Sequence, residues 1–288
     1  GFVKVASATP RIRVADPVYN AQVICAQAKE AVGQGAKIVV FPELCITGYT
    51  CSDLFLQNLL LEKAKEALFT IAEETAQLEA LLLVGLPVEK DGRLYNVAAV
   101  LYQGRILGMI PKKNIPMYAE FYEGRHFALG EENVTNYYLR GQEIPFGTNL
   151  LFRCEELPEL VLGCEICEDL WVAESPSTSH ALMGATVIAN LSASNETVSK
   201  DDYRMLLVKS TSARLLCGYI YTSAGEGEST QDLVFGGHDL IAENGTLLAQ
   251  SSRFSTGILY ADLDVLKINS ERRRMGTFGK RPSQPYFT

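Results

Sequence analysis

The run Leu160-Val161-Leu162 leads into Gly163-Cys164-Glu165-Ile166-Cys167-Glu168-Asp169-Leu170-Trp171. An apolar run of this kind reads as a buried strand, and a strand that ends abruptly pushes one side chain out of the turn. Such a turn also aims backbone N–H groups at whatever that side chain attacks. Cys167 is the candidate nucleophile. Two other side chains occupy the same kind of place: Glu43 behind Val39-Val40-Phe41-Pro42, and Lys112 behind Ile110-Pro111. Together they fit the cleavage of a carboxamide. The glutamate takes the thiol proton, and the lysine ammonium and backbone N–H groups face the oxyanion formed on attack. The nitrogen departs as ammonia, and water activated by the same carboxylate opens the thioester left behind. Neither histidine nor metal is required, which suits a chain with only His126, His180 and His238, widely separated.

Taken singly, each residue has an ordinary structural account. A cysteine behind an apolar strand is commonly an inert buried thiol. Pro-Glu after a strand is a turn with an exposed acid, and Lys112-Lys113 is a solvated basic pair. Asp169-Leu170-Trp171 caps and anchors the next helix, with Trp171 in the core. What favours the chemical account is the joint occurrence of the three at strand ends, where α/β sheets bind ligands. Cys164-x-x-Cys167 has no second such pair and no histidine pair near it, so neither zinc nor a redox dithiol is expected.

The elements that must hold these groups are mixed. Val3 to Ala8 reads as a strand, and Asp16-Pro17 opens a helix to about Gly33 with Val18, Cys25, Ala28 and Val32 on one side. A buried strand follows at Lys37–Phe41, then a long helical pattern from Leu54 to Leu78 and a strand at Leu81–Gly85. Asn96 to Ile110 alternates like a hairpin turning at Gln103-Gly104. Later strands are expected at Leu160–Cys164, Thr186–Leu191, Gly218–Ser223, Leu233–Ile241 and Ile258–Asp262, with a helix from about Asp201 to Leu216. Asn244-Gly245 closes a second hairpin onto Thr246–Gln250. Strand, helix, strand and hairpin thus occur once before Lys112 and again after Cys167, a pseudo-duplicated α/β architecture with layered sheets. The domain is drawn at 1–270. The segment 271–288, basic and then rich in Pro, Ser, Gln and aromatics, reads as a tail leaving it.

With 47% apolar and 21% charged residues, the chain of 288 residues has enough to fill a core. A net charge of −8 argues against a nucleic-acid partner. No apolar run approaches the roughly 20 residues that span a bilayer. Seven irregularly spaced cysteines and a start at Gly-Phe-Val-Lys-Val without an export signal lead us to expect free thiols and a cytoplasmic site.

The ordered segments Val-Phe-Pro-Glu-Leu around Glu43, Pro-Lys-Lys-Asn-Ile-Pro around Lys112 and Glu-Ile-Cys-Glu-Asp-Leu-Trp around Cys167 resemble the carbon–nitrogen hydrolase (nitrilase) superfamily. The resemblance covers essentially the whole chain. It implies an αββα sandwich, two mixed sheets between helices, and a Glu–Lys–Cys triad in which Lys112 rather than Lys113 stands three residues before Ile115-Pro116. Three further stretches, Leu44 to Phe55, Pro116 to Arg125 and Asn190 to Glu196, are similar to the glutaminase domains of glutamine-dependent NAD synthetases. That similarity implies Glu43 as base, Lys112 as oxyanion stabiliser and Cys167 as nucleophile. It implies a glutamine pocket lined by Tyr49, Tyr118, Phe121, Glu123, Glu168 and Ser194. A free amino acid needs an anion for its ammonium, either Glu123 or Glu168, and a cation for its carboxylate. Lys200 stands where some relatives place an arginine, and lysine lacks the bidentate fork. Tyr118, Phe121 and Tyr122 have packing of the sandwich as their alternative role.

Members of that group carry a second, ATP-using domain with a Ser-Gly-Gly pyrophosphate loop, and neither that loop nor Gly-x-x-x-x-Gly-Lys occurs here. The chain lacks an initiator Met and stops where the group's linker begins, so it is expected to be the amidotransferase piece of a larger protein. On this account no cofactor and no metal serve this chain. ATP with Mg and deamido-NAD belong to the absent synthetase domain, which receives the ammonia, and a homo-oligomer is expected. Two rivals remain: a free-standing amidase acting on another ω-amide or an N-carbamoyl compound, and a scaffold that keeps the pocket without using it.

Overall fold

Asp16 and Pro17 start the first helix as their order predicts. The Asp16 carboxylate accepts the Tyr19 N–H at 3.1 Å, and Pro17 sits in the first turn, where its missing N–H is not needed. A computed structural model describes residues 1–279 and 286–288. In it β1 (Phe2–Thr9), α1 (Pro17–Gly33), β2 (Ile38–Val40), α2 (Asn58–Glu74) and β3 (Leu81–Lys90) alternate, with β1, β2 and β3 parallel. β4 (Arg93–Tyr102) and β5 (Arg105–Pro111) continue as an antiparallel meander, and the hairpin of β6 (Thr135–Leu139) and β7 (Gln142–Phe146) extends it.

The second half repeats the scheme. β8 (Leu151–Arg153) runs antiparallel to β9 (Val161–Ile166), which is followed by α3 (Pro176–Leu182), β10 (Val187–Ser192), α4 (Lys200–Leu215) and β11 (Gly218–Ser223). β9, β10 and β11 are parallel, and β12 (Leu240–Glu243) and β13 (Thr246–Gln250) return antiparallel. β14 (Gly257–Asp264) crosses back to pair with β1, and α5 (Val265–Arg274) closes the series. Among the described residues the strands form an eight-stranded sheet, β14-β1-β2-β3-β4-β5-β7-β6, and a six-stranded sheet, β13-β12-β11-β10-β9-β8.

Alternation along the strands makes the layers. Val5, Ile38, Val40, Leu83 and Val100 of one sheet meet Leu162, Ile166, Val187, Leu191 and Ile220 of the other in the central core. Val39, Phe41, Leu82 and Val84, on the opposite face, pack under Ile24 and Ala28 of α1 and Leu68 and Ile71 of α2. Ile188, Tyr219, Tyr221 and Leu240 pack under Val208 and Leu215 of α4. The result is the αββα sandwich.

Several elements differ from expectation. The helical pattern 54–78 is two elements, a 3-10 turn at Ser52–Leu56 and α2, because Gln57 is extended (φ −92°, ψ 122°). Val18 on α1 is 58% exposed, so the buried stripe runs through Asn20, Ala21, Ile24 and Cys25 instead. β3 continues past Gly85 and Pro87 to an Asp91-Gly92 turn whose two residues both have positive φ, as a two-residue hairpin turn favours. The strand expected at 233–241 begins only at Leu240, since Gly236 and Gly237 (φ +57°) interrupt it. The segment after Glu271 is packed on the body where it is described. Arg272 donates to the Leu216, Ala185 and Leu215 carbonyls, and Tyr286 and Phe287 lie against His180 and Leu150. The rest of that segment, 280–285, lies outside the described residues.

Candidate active site

Three strand ends come together on one rim. β2 ends before Pro42-Glu43, β5 ends at Pro111 before Lys112, and β9 ends at Ile166 before Cys167. The rims of the two sheets touch there, because the Glu43 N–H donates to the Ser192 carbonyl at 3.3 Å. Room for the Glu43 turn comes from Gly85, where a Cβ would lie 2.3 Å from Leu44 N and 2.7 Å from the Pro42 carbonyl oxygen.

Lys112 is fully buried. Its Nζ donates to Glu43 Oε1 at 2.7 Å and to the Glu123 carboxylate at 2.7 and 2.9 Å. Glu43 Oε1 also accepts Asn96 Nδ2 at 2.6 Å, and Oε2 accepts the Ala193 N–H at 2.9 Å. Lys113, by contrast, points to Glu132 at the surface. Burial pushes the Lys112 ammonium toward losing its proton, but Glu123, Glu43 and Cys167 outweigh it and hold the charge on lysine well above its usual range.

Cys167 has φ +47°, in the left-handed region that residues with a Cβ rarely adopt, and is 8% exposed. Burial raises its thiol above the ordinary value. Glu43 adds to the rise, Lys112 opposes it, Glu123 adds again, and the Ala193 N–H lowers it. The resting thiol therefore keeps its proton at neutral pH, with a carboxylate close enough to feel it. Cys164, three residues earlier, is buried and free. Among the described residues no group of three His, Cys, Asp or Glu is arranged to hold a metal ion, and no helix is long and apolar enough to cross a membrane.

A cavity of about 450 Å³ opens over Cys167, and Tyr118, Phe121, Glu123, Glu168, Ser194 and Lys200 lie on its wall. Glu168 accepts from the Tyr118 hydroxyl at 2.9 Å, and burial raises its carboxyl. Lys200 lies over the Phe121 and Trp171 rings, 5.4 and 5.1 Å from their centroids, and donates to Asn195 Oδ1. Burial lowers its ammonium. Tyr49 is not on this wall. It lines a smaller neighbouring cavity and donates its hydroxyl to Glu123 Oε1 at 2.8 Å. Glu123 is thus taken up by Lys112 and Tyr49, and the wall's other carboxylates are Glu168 and Glu120, the latter accepting Asn195 Nδ2 at 2.6 Å.

Sequence reasoning passed over several supporting residues. Asn96 was detectable as an amide inside an apolar strand. Arg204 is fully buried and donates to Ser194 Oγ at 3.2 Å and the Asn195 carbonyl at 3.1 Å, with Glu196 2.8 Å away. Its signal was phase: it stands four residues before Val208 and eleven before Leu215 on the buried face of α4. Asp169, read as a helix cap, accepts from the N–H groups of Ile166 and Asn114.

The sequence pattern of the family described as Carbon-nitrogen hydrolase matches residues 4–273. The chain is similar to the glutamine-dependent NAD(+) synthetase of Mycobacterium tuberculosis, with 45% identity over 280 residues, 96% of this chain and 41% of that protein. The synthetase of the same description from Aquifex aeolicus is 31% identical over 249 residues, 84% of this chain and 40% of its own length. The chain therefore spans about two fifths of the length of these relatives. Among solved structures, a glutamine-dependent NAD(+) synthetase from Cytophaga hutchinsonii superposes with TM-score 0.82 at 30% identity, covering 91% of this chain and 43% of that one. An amidase from Nesterenkonia, 21% identical with TM-score 0.72 over 94% of both chains, shares the fold. With its strand-end Glu, Lys and Cys in one buried cluster and its pattern matched from residue 4 to 273, this chain belongs to the carbon-nitrogen hydrolase family.

Proposed function

We propose that this chain is a glutamine amidohydrolase domain that releases ammonia through a thioester on Cys167. The observation that carries the reading is the pairing of opposite charges in one cavity. Glu168 and Lys200 share the wall above Cys167, and a free amino acid presents an ammonium and a carboxylate to be matched. A plain amide would need neither.

In this mechanism the Cys167 sulfur attacks the side-chain carboxamide carbon while its proton passes to Glu43. Because the thiol is raised, it ionises only as attack proceeds. The negative charge forming on oxygen faces the Lys112 ammonium and backbone N–H groups. Collapse breaks the C–N bond, and Glu43 returns its proton to nitrogen, which leaves as ammonia. Water then gives a proton to Glu43 and attacks the thioester. Glutamate departs and the thiol recovers its proton. Glu123 holds Lys112 from the side opposite Glu43 and keeps it charged. Glu168 takes the substrate ammonium, Lys200 and Ser194 its carboxylate, and Tyr118 and Phe121 its methylene chain.

In the longer protein the ammonia would amidate deamido-NAD at a synthetase domain that uses ATP and Mg, and this chain's own step would need no cofactor. We place the protein in the cytoplasm, as a homo-oligomer. The test is a glutamine analogue with an electrophilic diazoketone in place of the amide, followed by peptide mass spectrometry. A stoichiometric adduct on Cys167 that excess glutamine blocks is the expected result. Labelling elsewhere would remove Cys167 as the nucleophile, and faster cleavage of other small amides than of glutamine would replace this reading with that of a free-standing amidase.

A further inference from the structure

Three buried side chains behind the Cys167 turn take no part in the reaction above. The Cys167 N–H donates to Asn190 Oδ1 at 3.3 Å, Asn190 Nδ2 donates to the Tyr219 hydroxyl at 3.0 Å, and that hydroxyl donates to Glu165 Oε1 at 2.5 Å. Asn190 Oδ1 also takes the Ser192 hydroxyl at 2.7 Å, and Glu165 Oε2 takes the Ser177 N–H at 2.8 Å. Glu165, Tyr219 and Asn190 are 1%, 0% and 0% exposed and stand on β9, β11 and β10.

The direction of this chain is set at its Cys167 end, where a backbone N–H can only donate. The two ends of an asparagine amide are nearly the same shape, so packing alone does not decide which faces Cys167. The Cys167 N–H can only donate, and the Tyr219 hydroxyl, which accepts from Asn190, gives its own proton to Glu165, whose carboxyl burial raises to about 7. Asn190 must therefore turn its NH2 to Tyr219 and its oxygen to the Cys167 N–H. The Cys167 N–H is thus met by a relay of three buried side chains that runs through Asn190 and Tyr219 to Glu165. That N–H belongs to the residue held in the left-handed region, where the backbone needs outside contacts to stay.

We propose that Glu165, Tyr219 and Asn190 are positioning residues that hold the Cys167 turn so that its thiol faces Glu43 and the substrate carbon. This rests on Cys167 being the nucleophile. Two variants test it in the full chain. Tyr219→Phe removes one hydroxyl and cuts the chain in the middle. Glu165→Gln keeps the shape but must set its NH2 against either the Tyr219 hydroxyl or the Ser177 N–H, both of which donate, and so breaks the chain at its end. Two rates are read: alkylation of Cys167 by iodoacetamide, followed by peptide mass spectrometry, and turnover of glutamine. Thermal unfolding is the control.

Both variants are expected to slow alkylation and to lower kcat by about ten- to a hundredfold. KM stays within about twofold, and the double variant is no worse than the poorer single one. Alkylation and kcat within about twofold of wild type in a cooperatively folded variant overturn the proposal, as does a loss that falls on KM. If Tyr219→Phe does not fold, Glu165→Gln decides alone. A wild-type chain that is alkylated at Cys167 but does not cleave glutamine removes the substrate assignment, and the alkylation rates still decide the positioning.

Discussion

Asp169 holds Asn114 through one oxygen, 2.8 Å from the backbone N–H and 2.7 Å from Nδ2, while its other oxygen takes the Ile166 N–H at 3.0 Å. Asn114 is two residues after Lys112, and Ile166 is one before Cys167. A single buried carboxylate therefore joins the loop of the ammonium to the turn of the thiol, across the two sheets.

Asp169→Ala should loosen both loops at once. Each N–H left buried without a partner costs about 1–3 kcal/mol, so denaturant unfolding should show a loss of that size or more. Glutamine turnover should fall along with it. An unchanged unfolding midpoint would mean that the joint carries no load.

Lys112→Met leaves Glu43 and Glu123 facing each other in a dry site. The ammonium is lost from the transition state, a cost of about 2.7–4 kcal/mol if it acts like an oxyanion-hole donor. Breaking the buried pair costs stability as well, about 3–5 kcal/mol. Burial already raises the Glu123 carboxyl, and without the lysine it rises further. A carboxyl raised in the folded state favours folding when protonated, and that contribution is lost as pH rises through the raised value. The stability gap between wild type and variant should therefore be wider at pH 8 than at pH 5. A gap of equal size at both would contradict this account.

Cys167→Ala should abolish turnover, by roughly 10⁴-fold or more. Folding should change by no more than about 1 kcal/mol, since one thiol is a small part of this core. Activity retained in that variant would show that the nucleophile lies elsewhere.

Gly85→Ala tests the turn from behind. Its methyl would sit against Leu44 N and the Pro42 carbonyl, backbone atoms that cannot swing aside. We expect a cost of about 1–3 kcal/mol in stability. The accompanying fall in kcat from a displaced Glu43 should exceed that of an equally destabilising substitution far from the rim.

Asp239 gives a pH signature away from the reaction. Burial raises its carboxyl to about 7, against hydrogen bonds from the Ser223 N–H and the Thr9 hydroxyl that lower it. The raised group stabilises the fold at low pH, and this contribution fades as pH climbs from near 4 to about 7. The stability of wild type relative to Asp239→Asn should accordingly decline over that window, by up to about 1.4 kcal/mol per unit. Chemical denaturation at pH 4.5, 6 and 7.5 reads it directly, and a flat difference would count against a raised Asp239.

Strand ends were the legible part of this chain, because Val39-Val40-Phe41 and Leu160-Val161-Leu162 are too apolar to lie anywhere but in a sheet interior. That made Glu43 and Cys167 candidates, and it took the joint occurrence with Lys112 and the family resemblance to read the three as one site. Partners were not legible. That the Glu123 carboxylate, at the cavity wall, would be held by Lys112 depends on how the chain folds back between two residues 11 apart in sequence. Arg204 was not singled out within its charged helix, where only its phase with Val208 distinguished it. The strand at 233–241 was overdrawn because alternation outweighed two adjacent glycines, and the 6–7 hairpin was passed over because Arg140-Gly141 lacks the usual Asn or Asp.

Phe287 pairs with the outer side of β8, its carbonyl taking the Leu151 N–H at 2.9 Å and its N–H donating to the Asn149 carbonyl at 3.1 Å. Without it, the last strand of the six-stranded sheet would show bare donors and acceptors, an invitation to a strand from another molecule. Phe287 thus closes that invitation from within, filling a place at the open edge with the chain's own backbone.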